Sequence, residues 1–287
     1  MIRTSVVAAT LALVFTAAHA AQPLQIKVYN GDDASFNVNS TLVYGETEAM
    51  VIDAGFTRAD ALRIAANVLD SGKSLKTIYV SQADPDYYFG VETLKEIFPQ
   101  AQVLTTPAVL AKLSAKVAGK VAFWGPKMGV NAPRTPVLPQ AMSGTTLTVD
   151  GQTVEIRGTQ GLLAHRPYAW IPSIKAIVGN IGVFGASHVW TADTQSVAER
   201  SAWVTQLDEM AALQPQVVVP GHMRPGTALD ISAVTYTKGY LQTFEQAANS
   251  AKNSAELIET MKAAYPAIPA NLSLSIGAKV IKGEMKW

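Results

Sequence analysis

Cysteine is absent from all 287 residues, which excludes disulfides, thiolate metal sites and a cysteine nucleophile. Histidine is scarce, with four in the chain, so any site that needs several imidazoles has few to draw on. Neither sign of charge dominates: 23 basic and 22 acidic residues leave a net charge of +1, with no basic stripe to follow a phosphate backbone. Nucleic acid is therefore not an expected partner. There is no Gly-x-Ser-x-Gly elbow, which leaves Ser81, at a strand end beside Gln82 and Asp84, as a weak nucleophile candidate. What the chain does have is apolar content, 48% of residues, enough to bury a large core.

The N-terminus carries Arg3, an apolar run over residues 6–15 and Ala18-His19-Ala20. This is the pattern of a secretory signal cleaved after Ala20, and the run falls short of the roughly 20 apolar residues that span a bilayer. The expectation is a periplasmic or secreted protein with residues 21–287 as one mature domain and no membrane span after cleavage. The mature chain then keeps His165, His188 and His222.

Short β-type runs at residues 24–29, 36–44 and 49–52 come first, separated by turn residues. Residues 58–69 place Leu62, Ile64, Ala65, Val68 and Leu69 near one helical face, and Gly72 stops them. A buried-type strand at 77–80, a polar loop, a helix near 91–98, a strand at 103–105 and a helix opening at Pro107 follow. Asp150-Gly151 between two alternating runs predicts a hairpin. Further strands at 168–171, 176–178 and 217–219, with helices near 196–213, 232–250 and 255–264, complete a second half. Residues 124–144, mixing prolines and glycines with apolar residues, read as a long loop. Two halves of strands followed by helices predict an α/β fold of two packed mixed sheets with helices outside, an αββα sandwich.

The succession Met50-Val51-Ile52-Asp53-Ala54-Gly55, the loop 81–90, Gly179-Asn180 and Pro220-Gly221-His222 resembles the metallo-β-lactamase superfamily over nearly all of the mature chain. In that family a strand end carries His-x-His-x-Asp-His-x-x-Gly. Here Gln82, Asp84 and Tyr87 stand at the histidine positions, and only Asp86 and Gly90 match. Asn180 replaces the bridging aspartate, His222 keeps the last histidine, and no histidine stands at 158–161, where the middle one belongs. His165, a few residues on, either replaces it in a rearranged loop and lines the site or, the preferred reading, is a surface histidine of an Ala-His-Arg-Pro loop. The loop 81–90 and the run from His188 to Thr194 are similar to a divergent, metallo-hydrolase-like branch.

The resemblance implies hydrolysis by water held between two metal ions. Gln82 is a weak ligand, Tyr87 would need to lose a proton with a pKa of about 10, and Asn180 supplies no bridging charge, so a standard dinuclear zinc site is not expected. Asp84, Asp86 and His222 remain as ligands for at most one divalent ion, zinc, manganese or iron. The reading is an exported hydrolase of a small-molecule ester, lactone or amide. In it Asp86 and His188 handle water and proton, Tyr87 or Tyr88 steadies the oxyanion, and Gln82, Trp124, Trp190 and Asn180 line the substrate site. The alternative is a binding or scavenging protein that keeps the pocket without the chemistry. The two differ in whether Asp84, Asp86, His188 and His222 converge on one ion or water. As to bland roles, Asp86 is also ordinary helix-start material, His188 can be a buried histidine tied to Asp193, and the tryptophans can be core.

Overall fold

The computed structural model describes residues 22–287; the expected signal segment lies outside them. Strand β1 (Gln25–Asn30) pairs antiparallel with β2 (Asn39–Tyr44), and β2 with β3 (Glu48–Ile52). Helix α1 (Arg58–Ser71) crosses to β4 (Ser74–Tyr79), which lies parallel to β3. Its start is fixed by a Thr57–Asp60 capping box and its end by Gly72, at φ 66°. The short α2 (Pro85–Tyr88) and α3 (Val91–Ile97) lead to β5 (Gln102–Thr105), again parallel. Helix α4 (Pro107–Met128) and the two-residue β6 (Gln140–Ala141) complete a six-stranded sheet in the order β1 to β6.

The second half opens with the predicted hairpin, β7 (Thr146–Val149) and β8 (Gln152–Arg157), turned by Asp150 at φ 47° and Gly151 at φ 75°. Next come β9 (Tyr168–Ile171), β10 (Ala176–Val178), β11 (Phe184–Gly185), α5 (Val197–Ala212), β12 (Val217–Val218) and β13 (His222–Met223). The chain continues through α6 (Ser232–Ser250), α7 (Ser254–Ala264) and α8 (Leu272–Ile281). A five-stranded sheet runs β12-β10-β9-β8-β7, and β11 and β13 form a two-stranded parallel ladder.

Three buried clusters show how the layers stack. Met50, Ile52 and Tyr79 of the first sheet meet Val154, Ile156, Ala169 and Val178 of the second. The alternate residues Ala49, Val51 and Ile78 face the other way, onto Ala61, Ile64 and Leu94 of α1 and α3. Trp170, Ile177 and Val218 pack outward on Trp203, Leu207, Tyr240 and Leu257 of α5, α6 and α7. The period-two alternation of each strand thus feeds both of its neighbours, giving the αββα order expected.

Three expectations need correction. Residues 124–128 belong to α4, which carries Pro126 in its last turn; the missing N–H forfeits one bond, to the carbonyl of Ala122, and the helix ends two residues later. Residues 36–38 are not strand: Phe36 and Asn37 turn through φ 57° and 54° after a 3-10 turn capped by Asp32. The short α2, the C-terminal α8 and the two-residue β6, β11 and β13 were not foreseen.

Candidate functional site

The C-terminal ends of β4, β10 and β12 lie at one edge of the two sheets, and the loops leaving them are bonded to one another. Tyr87 Oη donates to the Asn180 carbonyl at 3.1 Å. Asn180 Nδ2 donates to Val219 O, and its Oδ1 accepts from Val183 N, both at 2.9 Å. Asn39 Nδ2 donates to Pro220 O at 2.8 Å, and Gln82 Nε2 to Pro167 O at 2.8 Å. Close approach demands glycine here: a Cβ on Gly221 would lie 2.1 Å from Asn180 O, and one on Gly90 2.0 Å from Ala54 O. Below this layer, buried Asp53 accepts from the amide and hydroxyl of Ser81, each at 2.7 Å. Burial nevertheless pushes its pKa up to about 8.

His222 is held between rings, stacked on Phe184 at 5.4 Å and edge-on to Tyr87 at 5.7 Å. Its Nδ1 lies 2.9 Å from Phe36 O, an atom that only accepts, so Nδ1 carries the proton and Nε2 presents a lone pair. Asp86 Oδ2 stands 3.4 Å from that Nε2. Two lone pairs cannot face each other without a proton between them, and the environment supplies one: burial pushes Asp86 up to about 7 and His222 below its ordinary value. Below about pH 7 the pair is then a neutral acid against a neutral imidazole.

Asp84 points elsewhere, 3.8 Å from Lys120 Nζ. Among the described residues no three His, Cys, Asp or Glu side chains converge so as to hold a metal ion. The expected set of Asp84, Asp86 and His222 therefore does not form, because Asp84 lies toward α4 while Asp86 turns to His222. Nor do the remaining family positions fit two metal ions. Both ends of the Asn180 amide are spent inside the fold, the Gln82 amide is tied to Pro167, and the Tyr87 phenol is a donor to Asn180 whose pKa burial raises well above its ordinary value.

The structure separates the other expected site residues. His188 is fully buried, with Nδ1 3.0 Å from the Tyr240 hydroxyl, and burial lowers its pKa, so it is a neutral core histidine rather than a proton carrier. Tyr88 is buried against Phe89, its hydroxyl without a partner among the described residues. Trp124 packs on Phe36 and Phe56 at 5.5 and 5.2 Å, in the cluster between α4 and the first sheet, not in a substrate site. Trp190 donates through Nε1 to Asp193 at 2.6 Å and meets Trp287 edge-on.

Where the site opens is a cleft between the β4–α2 loop, α4 and the loop before β9, lined by Gln82, Asp84, Lys112, Lys116, Arg166 and Asp193, with His165 beside them. Sequence reasoning missed Lys112, Lys116 and Arg166 in this set. Lys112, Lys116 and Lys120 stand at i, i+4 and i+8, one face of α4, and that spacing was a readable signal. Asp84 is pushed up to about 6 by burial, then by Asp193 and Asp86. Burial raises Asp193 too, but the Trp190 N–H and the Arg166, Lys116 and Lys120 charges more than offset it. His165 is pulled down to about 4 by burial, then by Lys112 and Arg166, and is neutral.

This architecture is shared with known proteins. Residues 35–160 match the family model of the metallo-β-lactamase superfamily. A metallo-β-lactamase family protein from Thermus thermophilus superposes with a TM-score of 0.61 at 16% identity, covering 91% of this chain and 92% of that one. A metallo-β-lactamase from Pontibacter korlensis gives 0.53 at 18% identity, over 78% of this chain and 97% of its own. No curated protein sequence matches the chain. The chain thus has the fold of these metallo-β-lactamase structures, and its residues 35–160 are similar to the superfamily's model.

Proposed function

We propose that this protein binds a small molecule in the cleft beside Gln82 and Asp84, on a hydrolase fold whose metal positions have become structural. The observation that carries the reading is the Asn180 side chain. It stands where the family places its bridging carboxylate, yet donates to Val219 O and accepts from Val183 N, which anchors a neutral amide inside the fold where a bridging charge would be needed. Asp84, Asp86, His188 and His222 do not meet on one ion or water, which favours binding over metal-assisted hydrolysis. We further propose export through the segment at residues 1–20, with residues 21–287 as a single domain.

One observation favours a second reading, metal-independent hydrolysis of an ester or lactone. The Asp84 carboxyl lines the cleft with its pKa pushed up to about 6, near the value that suits a general base at neutral pH.

The test is to purify the mature protein without chelator, titrate it with Zn²⁺, Mn²⁺ and Fe²⁺, and screen it by thermal shift against neutral and charged metabolite-sized compounds and by activity against esters and lactones. Binding without turnover, and without stoichiometric metal, is the expected outcome. A tight metal equivalent lost in Asp86→Ala would overturn the reading, and turnover lost in Asp84→Asn would replace it with the second.

A further inference from the structure

Arg166 is 4% exposed, although an arginine is almost always charged and rarely so buried without a carboxylate partner. Its guanidinium lies 4.3 Å from the Trp203 ring centroid, and Nη2 donates to Ile181 O at 3.3 Å. Among the described residues Nε has no hydrogen-bond partner, nor has Nε2 of the neighbouring His165. A buried donor left unpaired is costly, and a charged one more so. The backbone holds this residue firmly in place: Arg166 N donates to Leu163 O at 2.7 Å, and Gln206 Nε2 donates to Arg166 O at 3.0 Å.

The surrounding charge is unbalanced in one direction. Asp84 is matched by Lys120. Asp193 accepts from the indoles of Trp190 and Trp287, at 2.6 and 3.2 Å. Two carboxylates, Asp84 and Asp193, thus face four cations, Lys112, Lys116, Lys120 and Arg166, and among the described residues none of Lys112, Lys116 and Arg166 has a carboxylate oxygen within ion-pair distance. The two lysines repel each other along one face of α4, an arrangement that helix stability alone disfavours. Burial and the neighbouring Lys116 and Arg166 charges lower the pKa of Lys112 against the pull of Asp193.

We propose that the cleft captures an oxyanion, the carboxylate, phosphate or sulfate of a small molecule, on Arg166, His165, Lys112 and Lys116. The orphaned Nε–H and the neutral imidazole supply directed hydrogen bonds, and the lysines supply charge. Arginine's planar fork suits such groups better than an ammonium does. This rests on the binding reading and names the ligand's class.

The probes are inorganic phosphate and succinate, with glucose as the neutral control, added to the ¹⁵N-labelled mature protein while the Arg166 Nε–H and Ala83 amide resonances are followed. Phosphate or succinate should shift both saturably, glucose neither. Arg166→Gln should weaken binding at least tenfold. Because Arg166 is buried and this variant could fail to fold, Lys116→Gln on the exposed face of α4 is the companion, expected to weaken binding severalfold and flatten its dependence on salt. Cleft shifts with a neutral compound but not with either anion would overturn the oxyanion inference and leave the binding reading standing. Anion binding indifferent to Lys116→Gln and to salt, or no anion response in a protein whose thermal shift shows another ligand, would overturn it as well.

Discussion

The Tyr87 hydroxyl reaches across the edge of the sandwich to the Asn180 carbonyl, tying the loop after β4 to the loop after β10 with a 3.1 Å hydrogen bond. Both residues stand at positions where the family keeps metal ligands, and here they hold each other. Tyr87→Phe leaves a buried carbonyl without its donor and should lower the unfolding free energy by about 1–3 kcal/mol in urea titrations. Tyr87→His should be no more stable, and isothermal titration should find no zinc site in it, since Asn180 and Gln82 remain engaged.

The Asp86–His222 pair makes a different prediction, because its partners need one proton between them. Asp86→Asn still offers an N–H toward His222 Nε2 and should cost little. Asp86→Ala leaves that nitrogen buried and unpaired and should cost about 1–3 kcal/mol. Nitrogen chemical shifts of His222 should report the Nδ1–H form at neutral pH. A charged His222 there would contradict the neutral pair.

Asp53 sets a pH trend. Burial pushes its carboxyl up to about 8 in the folded protein, against about 3.9 in an unfolded chain. Between those values the folded state keeps a proton that the unfolded state releases, so this stabilising contribution is full below about pH 4 and is lost as the pH rises toward 8. Asp53→Asn mimics the protonated acid toward Ser81, and urea midpoints measured from about pH 5 to about pH 9 should decline less steeply in the variant than in the parent.

How much of this was legible in the sequence depended on how local the cause was. The Asp150-Gly151 hairpin and the Gly72 stop were readable because positive φ is a property of the residues themselves. Helix α4 ran past its expected end because Pro126 reads as a breaker, whereas the packing of Trp124 on Phe36 and Phe56 keeps the last turn in place. Gln82, Tyr87 and Asn180 could be found from motif spacing, but not that their polar atoms were already spent, since their partners lie 85 to 93 residues away for Gln82 and Tyr87. Arg166 was hidden for the same reason: nothing in Ala-His-Arg-Pro announces a stack on Trp203.

Gly90 tests how closely the loop after β4 packs on the end of β3. A methyl group there would meet Ala54 O at 2.0 Å and the Ala61 side chain at 2.9 Å, backbone and helix that cannot both retreat. Gly90→Ala should lose about 1–3 kcal/mol or more by overpacking and should be visible first as a loss of soluble yield.

The two indoles that hold Asp193 give the cleft an optical label of its own. Trp190 and Trp287 donate to opposite oxygens of one carboxylate and touch each other at 5.0 Å, while Trp203 lies under the Arg166 guanidinium. Anything that enters and draws on Asp193 or Arg166 alters the polarity around three of the chain's five tryptophans. Occupancy of the cleft should therefore be readable in the colour and intensity of the protein's own emission, with no dye attached.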